Sequence, residues 1–143
     1  MTVADVNVLV HAFRRDAPDH PRYRAWLETT MAGPGPFGVS ELVLSGVIRV
    51  VTQVAAFRDA NALAEVMAYA EAIREHPLAR PLRPGPDHWS IFVDLCRTTE
   101  VGRGRVADAY HAALAIEHGC EWVTADRDFA RFPGLRWRHP LDG

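Results

Sequence analysis

Val3-Ala4-Asp5-Val6-Asn7-Val8-Leu9-Val10 is apolar throughout except at Asp5 and Asn7. Eight residues of this kind read as a short buried strand ending near Asp5 or Val6, then a helix from Asn7 to about Phe13 with Asn7 as its N-cap. A strand that passes directly into a helix, with an acid at the junction, is the repeating unit of an α/β fold. The same junction recurs downstream. Phe37-Gly38-Val39 predicts a second strand, and Ser40 caps a helix from Glu41 to about Gln53, whose β-branched run leaves a strand as the competing reading. Glu121-Trp122-Val123-Thr124 predicts a third strand, which ends at Asp126-Arg127-Asp128 in a tight turn or short helix with Phe129 and Phe132 pointing inward.

Helices fill the intervals. Asp19 caps one with Pro21 in its first turn and Tyr23, Trp26, Leu27 and Met31 on one side, and Gly33-Pro34-Gly35-Pro36 ends it. A long alanine-rich helix runs from Asp59 to about Glu75 and stops at His76-Pro77. Another runs from the Asp87 cap to about Glu100, with Gly102 at its C′ position, and a last one from Ala107 to His118 is closed by Gly119. Leu78–Leu82, which contains Pro81, and Arg136–Arg138 suit edge strands. Strands alternating with helices over residues 1–143 predict one domain, a three-layer α/β sandwich around a mostly parallel twisted sheet. In such sheets ligands sit beyond the C-terminal strand ends, at the point where strand order reverses.

Composition narrows the chemistry. The net charge is −2, so any nucleic-acid partner must be met by local rather than global positive charge. All 16 basic residues are arginine. The lack of lysine excludes Schiff-base and Walker-type phosphate chemistry and favours planar, bidentate phosphate contacts. Two cysteines, Cys96 and Cys120, without CxxC spacing predict reduced thiols rather than a disulfide or a thiolate zinc site. Asp5 and Asn7 interrupt the N-terminal apolar run, so no signal peptide is read, and no stretch approaches the ~20 apolar residues of a membrane span. A cytoplasmic protein without a membrane partner is the expectation.

Five acids stand at or near the predicted strand-to-helix junctions: Asp5, Glu41, Asp108, Asp126 and Asp128. Taken singly, each is explained as a helix cap, a first-turn acid or a turn residue. Together they are harder to explain so. Asp5 breaks the most apolar segment, and Ser40 already offers the cap that Glu41 would duplicate. Asp108 begins a helix of small residues, Ala109, Ala112, Ala113 and Ala115, that lets it lie close to its neighbours. Carboxylates gathered in one cavity do not all remain ionised without a cation, which points to Mg²⁺ or Mn²⁺ held by oxygen ligands. Of the seven histidines, His111 shares a helix face with Asp108, though packing explains it as well as metal binding does.

The segments Asp5-Val6-Asn7-Val8-Leu9-Val10, Ser40-Glu41, Asp108-Ala109 and Val123-Thr124-Ala125-Asp126-Arg127-Asp128-Phe129 resemble the PIN-domain pattern, and more closely the VapC-type toxins of bacterial toxin–antitoxin pairs. The resemblance spans Asp5 to about Pro140 and is weakest over residues 54–100. It implies a parallel-sheet α/β sandwich and a Mg²⁺- or Mn²⁺-dependent endoribonuclease, with Asp5, Glu41, Asp108 and Asp126 as the family's acids. Asp128 matches a fifth acid, and which of Asp126 and Asp128 contacts metal stays open. On this reading Asp5, Asp108 and Asp126 hold metal directly or through water, and Glu41 ligates or orients the attacking water. Asn7 and Thr124 support the ligands by hydrogen bonds. Arg103 and Arg105, with Arg14, Arg15 and Arg127, are the candidate phosphate contacts, unless Arg127 simply pairs with Asp128. A cognate antitoxin and a homodimer follow from the resemblance. Two other functions are weighed: a metal-free RNA- or protein-binding module of the same fold, against which the full set of acids counts, and a phosphatase with Asp5 as nucleophile, which would want a lysine this chain lacks.

Overall fold

The structure is a computed structural model that describes residues 1–53, 60–102 and 104–143. Its strands are β1 (Thr2–Ala4), β2 (Phe37–Val39), β3 (Ala79–Pro81), β4 (Glu121–Val123) and β5 (Trp137–Arg138). They form one five-stranded sheet in the order β3-β2-β1-β4-β5. Every pairing in it is parallel. The strand that contains Val3 is therefore central. Val3 lies level with Gly38 of β2 on one side and Trp122 of β4 on the other. Gly38 permits this close packing, because a Cβ there would fall 2.6 Å from Leu82 Cδ1 and 3.3 Å from Val3 Cβ. Both proline- and tryptophan-bearing segments predicted as edges, β3 and β5, are edges.

The helices are α1 (Val6–Phe13), α2 (His20–Ala32), α3 (Glu41–Gln53), α4 (Ala60–Arg74), α5 (His88–Thr98) and α6 (Val106–Glu117). α1 packs on α2 and α3, α3 on α4, and α5 on α6. Right-handed parallel crossovers put α1–α4 on one face of the sheet and α5–α6 on the other. The chain steps outward from β1 through β2 to β3, then returns across the opposite face to β4. The reversal of order falls between β1 and β4, and this is where a parallel sheet opens a crevice.

Several elements differ from expectation. α1 starts at Val6, with Asp5 rather than Asn7 as its cap, because Asp5 Oδ1 accepts the Val6 N–H at 2.6 Å. That releases the Asn7 side chain for other contacts. Glu41–Gln53 is a helix despite its β-branched residues, since Val43, Leu44, Gly46, Val47 and Val51 form one buried stripe at helical spacing. α5 ends at Thr98, and Glu100, with φ 49°, takes the left-handed conformation expected of Gly102. The start of the helix expected at Asp59 lies outside the described residues. A 3₁₀ turn over Arg127–Arg131 drives Phe129 into the core, 5.5 Å from Trp122 between ring centroids, and Phe132 follows it. Cys96 and Cys120 are free thiols. Among the described residues no helix is long and apolar enough to cross a membrane.

Candidate metal-binding site at the β1–β4 crevice

The Asp5 backbone N–H donates to Val123 O at 2.8 Å, extending the β1–β4 ladder one residue past the strand and bringing its side chain against Thr124. Asp5 is 6% exposed. Its Oδ2 accepts the Thr124 hydroxyl at 2.7 Å and the Asn7 amide at 3.1 Å. Thr124 Oγ1 in turn accepts the Asn7 amide at 3.3 Å and the Asp126 backbone N–H at 3.0 Å. A hydroxyl has one proton and two lone pairs, so Thr124 is fully committed. Asn7 completes the knot: its Oδ1 accepts the Ala125 N–H at 3.0 Å. Two strand ends are thus tied by three side chains, and the site is held by the strands themselves rather than by a free loop.

Asp108 enters from the first turn of α6, and Asp126 and Asp128 from the end of β4. All three meet Arg105. Its Nη1 lies 2.9 Å from Asp108 Oδ2 and 2.9 Å from Asp126 Oδ2, and its Nη2 lies 2.8 Å from Asp128 Oδ2. Asp126 Oδ1 is occupied separately by the Asp128 N–H at 2.9 Å, the side-chain cap of the 3₁₀ turn. Asp5, Asn7, Asp108 and Asp126 line one cleft of about 540 Å³.

Burial dominates the electrostatics. It raises the Asp5 pKa from 3.8 to about 6, against the opposing hydrogen bonds from Thr124 and Val6; the charges of Asp108 and Asp126 raise it further. Burial also raises Asp108, with Arg105 opposing. The cluster therefore carries more negative charge than its surroundings accommodate. Among the described residues no three His, Cys, Asp or Glu side chains stand gathered around a single point as a finished metal cage. The donor set still fits a hard divalent cation: it is all oxygen, it is partly desolvated, and two of its carboxylates already share one positive group, the Arg105 guanidinium.

Not every expected residue joins. Glu41 begins α3 but pairs with Arg74 at 2.8 Å, is exposed, and lines the neighbouring grooves instead of this cleft. Arg127 turns away to a bidentate pair with Asp142 at 2.9 Å for both bonds; it does not pair with Asp128, which belongs to Arg105. Arg14 lines the cleft and is braced by Asp16 at 2.8 Å, whereas exposed Arg15 lines a separate hollow beside α2 and α4. Arg103 lies outside the described residues. Sequence reasoning missed Arg49, an exposed cation of α3 on the cleft wall that makes no ion pair among the described residues. Its place on the face of α3 opposite the buried stripe was the available signal. His111 lines the cleft but is buried and stacked on Trp122 at 5.4 Å. Burial lowers its pKa to about 4, so it is a neutral packing group near neutral pH.

Comparison with known proteins identifies the family and the fold. The pattern described as PIN domain matches residues 2–135. The chain is 43% identical over 143 residues to Ribonuclease VapC43 of Mycobacterium tuberculosis, covering 100% of this chain and 97% of the relative. It is 36% identical over 140 residues to Ribonuclease VapC25 of the same organism, covering 98% and 99%. Among solved structures, VapBC2 of Rickettsia felis bound to a DNA fragment from its promoter superposes with a TM-score of 0.69 at 17% identity, covering 95% of this chain and 96% of that one.

Proposed function

The chain belongs to the PIN-domain family, and from that premise we propose that it is the toxin of a VapBC-type toxin–antitoxin pair, an endoribonuclease that hydrolyses RNA phosphodiester bonds. The observation that carries the reading is the convergence of Asp5, Asp108 and Asp126 on one cleft at the β1–β4 crevice, in a chain alignable end to end with VapC ribonucleases. Asp5, Asp108 and Asp126, with Asp128 at the rim, would hold Mg²⁺ or Mn²⁺. Such an ion supplies the positive charge that a phosphodiester's developing oxyanions require and acidifies a nucleophilic water. Asn7 and Thr124 fix the Asp5 carboxylate by hydrogen bonds, which sets the direction of its free lone pairs. Glu41 takes part in orienting the water once its exposed pair with Arg74 opens. Arg14, Arg49, Arg103 and Arg105 are the local cations for RNA phosphates, with Arg127 at the periphery.

A VapB-type antitoxin, a homodimeric assembly, a cytoplasmic location and a single domain over residues 1–143 belong to the same proposal. Leu63 and Met67 on α4, Leu42 and Val106 in the α3–α6 groove, and Trp89 on α5 are large exposed apolar side chains suited to such contacts. Mapping RNA ends after brief induction, against Asp108→Ala, tests the function. Purified protein should cleave RNA with Mg²⁺ or Mn²⁺ and not with EDTA, and Asp5→Asn should be inert; cleavage that survives both EDTA and Asp5→Asn overturns the reading.

A further inference from the structure

We propose that Arg105 is a built-in counter-ion of the carboxylate cluster, one that occupies the divalent-cation position in the metal-free protein and is displaced from Asp108 and Asp126 when metal binds. The inference rests on the metal-dependent reading of the site and assigns a device within it.

The geometry points there in three steps. First, a single Arg105 nitrogen, Nη1, sits 2.9 Å from carboxylate oxygens of both Asp108 and Asp126, two acids from different segments that line the cleft with Asp5. A group donating to two carboxylates at once stands where a shared cation would stand. Secondly, both cannot occupy the place together. Mg²⁺ draws carboxylate oxygens to about 2.0–2.1 Å, uses the lone pairs that Nη1 now engages, and repels the guanidinium at that range. Thirdly, the guanidinium can leave without unmaking the fold. Arg105 is anchored through its backbone, which donates to Gly102 O at 3.1 Å and accepts from the Ala109 N–H at 3.1 Å. Its side chain makes no capping bond to α6. Asp128, 72% exposed, is the third partner and lies at the open edge. An Arg105 released from the two inner acids stays tethered at that edge, beside the cleft, where a substrate phosphate approaches. The same residue then serves as a clamp on the empty site and as a phosphate contact on the loaded one.

The consequence is an inverted one for an arginine in a nuclease site: its removal strengthens metal binding. Titrating Mn²⁺ into RNA-free protein by calorimetry should give a dissociation constant about tenfold lower for Arg105→Gln than for the wild type, the ratio that one charge-assisted hydrogen bond corresponds to. A readout independent of any variant is the Arg105 side-chain Nε–Hε resonance, which should move during a Mg²⁺ titration of the wild type. Mn²⁺ binding that Asp5→Asn abolishes but Arg105→Gln leaves equal or weaker, or an Nε–Hε signal unmoved by saturating Mg²⁺, overturns the role of Arg105 and leaves the metal site standing. No Mn²⁺ binding by the wild type or by Arg105→Gln overturns the metal reading itself, and this inference with it.

Discussion

The Thr124 hydroxyl donates to Asp5 Oδ2 at 2.7 Å across 119 positions of sequence, a buried side-chain hydrogen bond between the ends of β1 and its neighbour β4. Around it the protein concentrates negative charge at the one place where its sheet topology opens.

Thr124→Val keeps the volume and removes the hydroxyl. Asp5 loses its strongest donor, and the Asp126 N–H and Asn7 amide lose an acceptor. Leaving such groups buried and unpaired costs about 1–3 kcal/mol, measurable by urea unfolding. Because that hydrogen bond favours the carboxylate, its loss should push the Asp5 pKa further above 6, read by side-chain carboxyl NMR.

Asp5 also sets a pH dependence. Its folded pKa of about 6 lies above its ordinary 3.8, so between those values the unfolded chain has released a proton that the folded chain still holds. Its contribution to stability is fully present below pH 3.8 and is lost as the pH rises through about 6. The change is roughly 3 kcal/mol for a group so deeply buried. Asp108, also raised, acts in the same direction. In EDTA, wild-type stability should decline relative to Asp5→Asn between pH 4 and 7. Mg²⁺ should flatten that difference by stabilising the ionised carboxylate.

Glu41 and Arg74 form an exposed pair, so Arg74→Ala should change stability by less than about 1 kcal/mol. Glu41→Gln should be equally mild in unfolding yet lower kcat at least about a hundredfold, the range for loss of a group that orients a proton transfer. Arg74→Ala should not lower kcat, since it frees the carboxylate.

Gly46 lets α3 lie against α1: a Cβ there would meet Val6 Cγ2 at 2.9 Å. Val6 is the residue whose N–H binds Asp5. Gly46→Ala should destabilise by about 1–3 kcal/mol through overpacking and weaken Mn²⁺ binding by shifting the first turn of α1, both checked on one preparation by denaturation and calorimetry.

The strand order could not be read directly from local pattern, yet its consequence could. Asp5, Asp108 and Asp126 were legible because each interrupts or opens an element whose periodicity was otherwise plain, and the topology needed only to bring those ends together. Glu41 was legible as a junction acid but not in its direction, since its partner Arg74 lies 33 positions away on another helix. The Arg105 clamp was half visible: Asp108 at i+3 is a local pair, while Asp126 and Asp128 arrive from beyond β4. Arg127 misled because an acid adjacent in sequence is not adjacent in a 3₁₀ turn, where Asp142 from the far terminus is nearer. The cap expected at Asn7 lies two residues earlier, because Asp5, already at the strand end, could satisfy the first helical N–H itself.

The placement of β1 at the sheet centre and β4 beside it has a consequence for the newly made chain. A ribosome has to reach Thr124 and Asp126 before Asp5 gains either neighbour, so a polypeptide halted anywhere earlier is born without its pocket. Translation products that stop short of Thr124 lack the pocket, and a nonsense codon anywhere before that position should disarm the protein as fully as one near the start.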